Sequence, residues 1–206
     1  MTISLLFRVL CCIWFASEVI VAVATRTRGG NGNIRDRGSM LTLWIVITTA
    51  ITGCQWLSAV FSAPLFGGAR WLRLASLLVL LTGIIIRWTA ILTLGKAFSA
   101  NVAIREDQKL KQRGLYRLVR HPSYSGLLLI LLAVGLQSRN WAGLLVLIVP
   151  TTAALIYRID VEEAVLSEAF GERFADYSKA TWRALGTRFA LTGNPSGVAS
   201  RATGYS

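Results

Sequence analysis

The chain has 206 residues, of which 54% are apolar and 16% charged, and its mean hydropathy is +0.55. A soluble domain carries about 25% charged residues, so this composition excludes an ordinary soluble protein and indicates an integral membrane protein. The net charge of +12 fits a basic face against anionic membrane lipids, and we expect no nucleic-acid partner.

Apolar runs, taken in chain order, predict four or five membrane spans. Residues 3–24, 40–62 and 71–94 each supply the roughly 20 residues that cross a hydrocarbon core of about 30 Å. Two shorter runs follow at 124–137 and 141–157, and their close spacing predicts a tight helical hairpin. The predicted fold class is therefore all-α, a multi-pass transmembrane bundle of about five spans.

The first run has a second interpretation, because an apolar stretch ending in Ala22-Val23-Ala24 also fits a cleaved signal peptide. We favour a retained span, since Arg8 and Glu18 lie within the stretch and a signal carries its positive charge ahead of it. An ionisable group at the depth of Glu18 usually faces the protein interior. We therefore expect it to pair with Arg8, Arg87 or a Ser/Thr hydroxyl.

Basic residues predict the orientation. Lys and Arg follow the first run, crowd the connection before the fourth and follow the fifth. Because short cytoplasmic loops are enriched in these residues, five spans place the N-terminus outside and the C-terminus in the cytoplasm. The excess of Arg over Lys favours a bacterial source, and hence the inner membrane.

The chain is predicted to divide into three regions. Residues 1–95 form the N-terminal spans, 96–190 carry the chemistry, and 191–206 form a disordered tail. Three cysteines within the spans and one histidine provide neither a disulfide framework nor the spacing of a metal site, so we expect no metal.

The first of two polar clusters surrounds the single histidine. Pro122 is well placed as the first residue of a helix, with His121 as its cap. The free N–H groups of that helix end, together with Arg120, suit an anionic group such as a carboxylate. Tyr116 and Tyr124 flank the segment with aromatic faces and hydroxyls. The alternative is an interfacial belt that only anchors the helix end.

The second cluster begins at Arg158. Glu162 lies four residues later and shares its helix face, and Leu166, Phe170 and Phe174 continue the row. We expect the helix to leave the membrane at Arg158 and to continue as an amphipathic cytoplasmic tail helix. The alternative is a local salt bridge on a helix that lies at the interface. The short hairpin brings the two clusters together in space.

The two motifs together resemble a known family. The pattern Gly-x-Tyr-x-x-x-Arg-His-Pro-Ser-Tyr-x-Gly at 114–126 precedes Arg-x-x-x-Glu-Glu-x-x-Leu-x-x-x-Phe-Gly-x-x-Phe-x-x-Tyr at 158–177. This pairing is similar to the isoprenylcysteine carboxyl methyltransferase family and to the wider group of membrane methyltransferases related to phospholipid methyltransferases. The similarity covers about half of the chain.

The resemblance implies a reaction and a site. It implies that the hairpin and the tail helix enclose S-adenosylmethionine at the cytoplasmic surface, while an isoprenylcysteine-like or other lipid-like carboxylate enters from the bilayer and is methylated on oxygen. Arg158 would bind the acceptor carboxylate, and Glu162 would hold the amino acid portion of the cofactor. The rest of the cofactor pocket would be Gln108, Leu110, Lys111, Tyr116, His121, Pro122, Ser123 and Tyr124.

Two other functions stay open from the sequence. Some membrane sterol and lipid reductases have a similar C-terminal hairpin that binds NADPH, so a preference for that cofactor would identify a reductase. A non-catalytic membrane scaffold is the other alternative. The joint presence of Arg158, Glu162, His121 and Tyr124 argues against a scaffold, because a scaffold does not need all four.

Overall fold

The computed structural model describes residues 3–26, 38–65, 70–95, 110 and 112–184. These residues form an all-helical bundle, and a short 3₁₀ turn at Gly114–Arg117 precedes the fourth helix. The six α-helices are α1 (Ile3–Arg26), α2 (Ser39–Val60), α3 (Trp71–Leu94), α4 (Pro122–Ser138), α5 (Trp141–Phe170) and α6 (Glu172–Ala180).

Within the described ranges, four helices are long and apolar enough to cross a membrane: α1, α2, α3 and α5. Helix α4 has 17 residues, so it rises about 25 Å and is short for a hydrocarbon core of about 30 Å. The chain is therefore an integral membrane protein, and its described part has four full-length helices and one shorter apolar helix, within the predicted range of four or five spans.

The predicted hairpin between α4 and α5 is confirmed. Arg139 ends α4 in the left-handed conformation at a φ of 53°, and Asn140 caps α5 by accepting a 3.0 Å hydrogen bond from the backbone N–H of Gly143. The Asn140 amide also donates to the carbonyl oxygen of Phe61 at 2.6 Å. One side chain thus fixes the hairpin and ties it to the end of α2.

Helices α3 and α4 approach each other closely at two glycines. A Cβ atom added to Gly126 would lie 2.7 Å from the backbone nitrogen of Arg87, and one added to Gly83 would lie 2.9 Å from the carbonyl oxygen of Gly126. Fully buried Leu80 and Ile130 pack in the same core. This contact places Arg87 beside the first turn of α4.

The C-terminal part corrects one prediction. Helix α5 continues past Arg158 as expected, but it ends at Phe170, and the next residue is Gly171, whose φ of 51° is a conformation that glycine adopts without strain. The expected row of side chains is therefore divided, because Phe174 belongs to α6. The tail helix is this nine-residue helix, which buries Phe174 and Tyr177.

Several predictions lie outside the described residues. They are the tail at 191–206 and two residues of the expected cofactor wall, Gln108 and Lys111.

Candidate active site

The two polar clusters meet where the start of α4 lies against the second half of α5. We call His121, Tyr124, Arg158, Glu162 and Glu163 the site cluster. Arg158 and Glu163 are 2% and 1% exposed, which is unusual for charged residues unless they are paired. The cluster therefore consists of polar groups that hold one another in a buried setting.

His121 lies between two carboxylates. It directly precedes Pro122, the first residue of α4, as predicted. Its Nε2 is 3.0 Å from Oε1 of Glu163, and its Nδ1 is 4.0 Å from Oε2 of Glu162. Its ring also stacks on Tyr124, with 5.8 Å between ring centroids. The imidazole is therefore fixed by contacts on both nitrogens and on one face.

The Tyr124 hydroxyl joins the two residues to which the resemblance assigns the chemistry. It donates to Oε2 of Glu162 at 2.9 Å and accepts from Nε of Arg158 at 3.2 Å. Nη1 of Arg158 donates to the hydroxyl of Ser39, the first residue of α2. Ser39 was not predicted, because its sequence position gives no sign that it lies beside α5.

Glu163 is the carboxylate that lies beside Arg120 near the start of α4. Its carboxylate lies 2.9 Å from Nε of Arg120 and 3.1 Å from Nε of Arg183, in addition to its contact with His121. We expected Arg120 to favour a bound anionic group, and the structure shows that the chain supplies this anion itself. Consecutive residues lie about 100° apart around a helix, so Glu162 and Glu163 present their carboxylates in different directions.

The segment after α6 closes over the cluster. The backbone N–H groups of Arg120 and His121 donate to the carbonyl oxygens of Trp182 and Arg183 at 2.8 and 3.0 Å. The Arg120 guanidinium donates to the Thr181 carbonyl at 3.2 Å. Arg183 also forms an ion pair with Asp160 on α5. Backbone and side-chain bonds together hold α6 against the start of α4.

Tyr116 is buried in the 3₁₀ turn next to this region. Burial, and after it the nearby negative charge of Glu162, raises the pKa of the Tyr116 hydroxyl, which therefore stays protonated at neutral pH. The Tyr177 hydroxyl donates to the Tyr116 carbonyl at 2.6 Å, and burial raises the pKa of Tyr177 to about 12. The turn is thereby fixed to α6.

A groove lies along α6, and none of the site cluster residues lines it. It is an open groove of about 750 Å³ between Leu110 and α6, and Arg117, Arg173 and Tyr177 are among its lining residues. The predicted pocket residues are thus divided. Leu110 lines the groove, whereas Tyr116, His121, Pro122, Ser123 and Tyr124 are at the turn and the start of α4.

A buried ion pair between Glu18 of α1 and Arg87 of α3 contacts the start of α4. Arg87 donates to both carboxylate oxygens of Glu18, so of the partners predicted for Glu18 the structure selects Arg87. Nη1 of Arg87 donates to the backbone carbonyl and the hydroxyl of Ser123 at 3.1 and 3.0 Å. The pair connects α1, α3 and α4.

Comparison with known proteins gives a consistent result. A model of the isoprenylcysteine carboxyl methyltransferase family matches residues 75–168. Protein-S-isoprenylcysteine O-methyltransferases B and A of Arabidopsis thaliana are each 27% identical to this chain. The match with B covers 79% of this chain and 82% of the relative, and the match with A covers 87% and 88%.

A solved structure agrees with the sequence relatives. The structure of the eukaryotic intramembrane Ras methyltransferase, an isoprenylcysteine carboxyl methyltransferase, superposes with a TM-score of 0.57 at 26% identity. The match covers 74% of this chain and 54% of the other, so this chain spans about half the length of that protein. The family model, the curated relatives and the solved structure agree with one another, and together they support the isoprenylcysteine carboxyl methyltransferase family and its methyltransferase class.

Proposed function

We propose that the chain transfers the methyl group of S-adenosylmethionine to the carboxylate of an isoprenylcysteine-like or other lipid-like acceptor. The observation that carries this proposal is the Tyr124 hydroxyl, which bridges Arg158 and Glu162. A cation suited to a carboxylate and an anion suited to an ammonium group are thereby held on either side of one hydroxyl.

The residues present fit the cofactor. Glu163 is surrounded by three cationic or ionisable groups, whereas Glu162 keeps 29% of its side chain exposed. A carboxylate has about four lone-pair positions, so Glu162 has acceptor capacity beyond its bond to Tyr124. We propose that it binds the cofactor ammonium and that the rest of the pocket is formed by Gln108, Leu110, Lys111, Tyr116, His121, Pro122, Ser123 and Tyr124.

The chemistry places few demands on the protein. When bound, S-adenosylmethionine supplies an electrophilic methyl group on a sulfonium that leaves as a neutral thioether. An ionised carboxylate is already a nucleophile, so the chain has to align its oxygen and does not have to remove a proton. We assign alignment to Arg158, whose guanidinium is suited to a bidentate carboxylate contact and is held by Tyr124 and Ser39.

Burial strengthens these contacts. Arg158 is 2% exposed, and the segment after α6 covers the neighbouring His121. Electrostatic contacts in a site without water are stronger than the same contacts in solution. His121, fixed between two carboxylates, then serves to bind and orient and is not needed as a proton shuttle.

The placement of the site supports a lipid-like acceptor. Arg158 lies on the apolar helix α5, and apolar side chains on this helix, such as Ile156, stay exposed on its outer surface. An acceptor with an apolar tail would remain in the bilayer while its carboxylate reaches Arg158. We further propose that residues 96–190 form the catalytic region, that this end faces the cytoplasm, and that the membrane is a bacterial inner membrane.

A transfer assay tests the proposal. Purified protein in detergent would be incubated with S-adenosylmethionine carrying a radiolabelled methyl group and with N-acetyl-S-farnesylcysteine. We expect incorporation of label that is released as methanol by mild base, as an ester requires. The matched control is the same acceptor with its carboxyl group already esterified, which should take up no label. Base-stable label, or equal label in the blocked acceptor, would contradict carboxyl methylation.

A further inference from the structure

The Glu18–Arg87 pair is a buried ion pair between two membrane helices. The two side chains are 4% and 8% exposed, and Nε1 of Trp14 also donates to Glu18 at 3.0 Å. Among the described side chains of α1, Phe7, Trp14 and Glu18 are buried, and their spacings of seven and four residues place them on one face. Most of the remaining described side chains of α1 are exposed, and Glu18 is a polar attachment of this helix to the bundle.

The pair reaches the site through Ser123. Arg87 uses Nε and Nη2 for Glu18, which leaves Nη1 directed at Ser123, where it contacts both the carbonyl and the hydroxyl. Ser123 directly precedes Tyr124, whose hydroxyl bridges Arg158 and Glu162. The carboxylate on α1 therefore fixes the guanidinium, and the guanidinium fixes the turn that carries Tyr124.

The close contact of α3 with α4 makes this reach possible. A Cβ at Gly126 would lie 2.7 Å from the backbone nitrogen of Arg87 and 2.8 Å from its Cβ. Because residue 126 is glycine, the backbone of Arg87 lies against the first turns of α4, and its guanidinium can contact Ser123 directly.

Stability alone does not account for such a pair. Removing two charges from water costs several kcal/mol per ion, and well-packed apolar residues of similar volume are often equally or more stabilising. An ionisable residue within a membrane helix indicates a functional role by default. The geometry of Arg87 on Ser123 identifies that role as alignment of the site.

We propose that Glu18 and Arg87 are positioning residues for methyl transfer: together they hold the first turn of α4 so that the Tyr124 hydroxyl lies between Arg158 and Glu162. This inference rests on the proposed function. It also assigns a role to α1, which lies outside the residues matched by the family model.

Two variants separate positioning from a structural role. Arg87→Lys keeps a positive charge for Glu18 but lacks the fork that holds Ser123. The double variant Glu18→Met/Arg87→Met removes both charges and keeps side-chain volume, so a bundle that needs only packing at this position should retain its thermal stability. Arg8→Lys, on the exposed side of α1, is the matched control.

The first readout does not require activity. The chain has five tyrosines, and fluorotyrosine incorporation gives each a ¹⁹F resonance, with that of Tyr124 assigned by its loss in Tyr124→Phe. We expect the Tyr124 resonance to shift or broaden in Arg87→Lys and in the double variant, while that of Tyr177 stays in place. An unchanged Tyr124 resonance in folded variants would overturn the inference.

The second readout is methyl transfer. A misplacement of about 1 Å costs up to about 100-fold in rate, so we expect kcat/KM to fall between about 10-fold and 100-fold in both variants, with the thermal midpoint of the double variant near that of the parent. Unchanged kcat/KM would overturn the inference. If the parent protein transfers no methyl group, the proposed function fails instead, and the ¹⁹F result still decides whether the pair positions Tyr124.

Discussion

The two ends of the bundle are held in different ways. At the turn end, formed by residues 61–65 and 139–141, neutral groups satisfy one another: the N–H of Leu65 donates to the Arg139 carbonyl at 2.8 Å, and that of Trp141 donates to the Ala63 carbonyl at 2.9 Å. At the opposite end, the site cluster buries the charges of Arg158 and Glu163.

The difference indicates which end has a task beyond folding. Neutral hydrogen bonds close a helical turn at little cost, as Asn140 shows. Removing a charge from water costs several kcal/mol of desolvation free energy, and pairing with an opposite charge offsets part or all of that cost. A bundle that needed only to fold would use neutral hydrogen bonds at both ends, which supports our proposal that the charged end carries the chemistry.

The largest expected effect is a difference in stability between variants at the two ends of the bundle. Glu163→Gln leaves Arg120, His121 and Arg183 without their shared anion, and breaking one partner of a buried pair costs about 3–5 kcal/mol. Asn140→Ala at the turn end removes a helix cap, which costs about 0.5–2 kcal/mol. Denaturant unfolding in detergent measures both free energies. Equal losses would contradict the comparison.

The next effect is a difference in catalytic activity between variants at the two ends. Arg158→Gln removes the cation that we propose aligns the acceptor, and we expect kcat/KM for the farnesylcysteine acceptor to fall by about 10²-fold, the cost of misplacing a reacting group by about 1 Å. Arg73→Gln, an exposed arginine near the start of α3, is the control and should leave kcat/KM unchanged. Normal turnover by Arg158→Gln would show that the acceptor binds elsewhere.

Cofactor affinity distinguishes the two neighbouring carboxylates. A hydrogen bond to a charged group contributes about 1.5–3 kcal/mol, so Glu162→Gln should raise the Kd for S-adenosylhomocysteine about 10- to 100-fold. Because Glu162 is partly exposed, Glu162→Gln should lower the free energy of unfolding of the protein much less than Glu163→Gln does. Titration calorimetry measures the Kd. The assignment fails if Glu162→Gln binds as tightly as the parent.

A pair of glycines tests the close packing behind the site. Gly126→Ala places a Cβ 2.7 Å from backbone of α3, and overpacking of this kind costs about 1–3 kcal/mol. Gly53→Ala is the matched control, because its Cβ would meet only the Val146 side chain at 3.2 Å. We expect thermal unfolding to show the larger loss at Gly126. Similar midpoints would mean that α3 and α4 separate without difficulty.

The smallest effect concerns the tail. Tyr177→Phe removes the hydrogen bond to the Tyr116 carbonyl, a loss of about 0.5–1.5 kcal/mol. Burial raises the pKa of Tyr177 above its unfolded value to about 12. The contribution is therefore complete below about pH 10 and is lost as the pH rises through 12. Unfolding of parent and variant from pH 7 to 11 checks this. A difference that shrinks already near pH 8 would contradict it.

The sequence predicts the membrane helices well because their signal is local. The bounds predicted for the third span, 71–94, coincide with α3, and the hairpin follows from two apolar runs separated by three residues. The end of α5 was missed because Leu166, Phe170 and Phe174 keep a four-residue spacing across Gly171. Periodicity does not reveal that a glycine with positive φ divides this row.

The missed residues of the site depend on distant contacts. Glu163 bonds to Arg120, 43 positions earlier, and Ser39 bonds to Arg158 across 119 positions. Neither partner is visible in a local pattern. Helix periodicity places Glu162 beside Arg158, but only the packing of α4 on α5 shows that Tyr124 joins them.

Titration calorimetry of the detergent-purified protein with S-adenosylhomocysteine, with NADPH titrated in parallel, tests the central claim most directly. We predict saturable micromolar binding of S-adenosylhomocysteine that is weakened in Glu162→Gln and no binding of NADPH. Binding of NADPH alone would identify a reductase, and binding of neither would identify a scaffold; either result would contradict methyl transfer at this site.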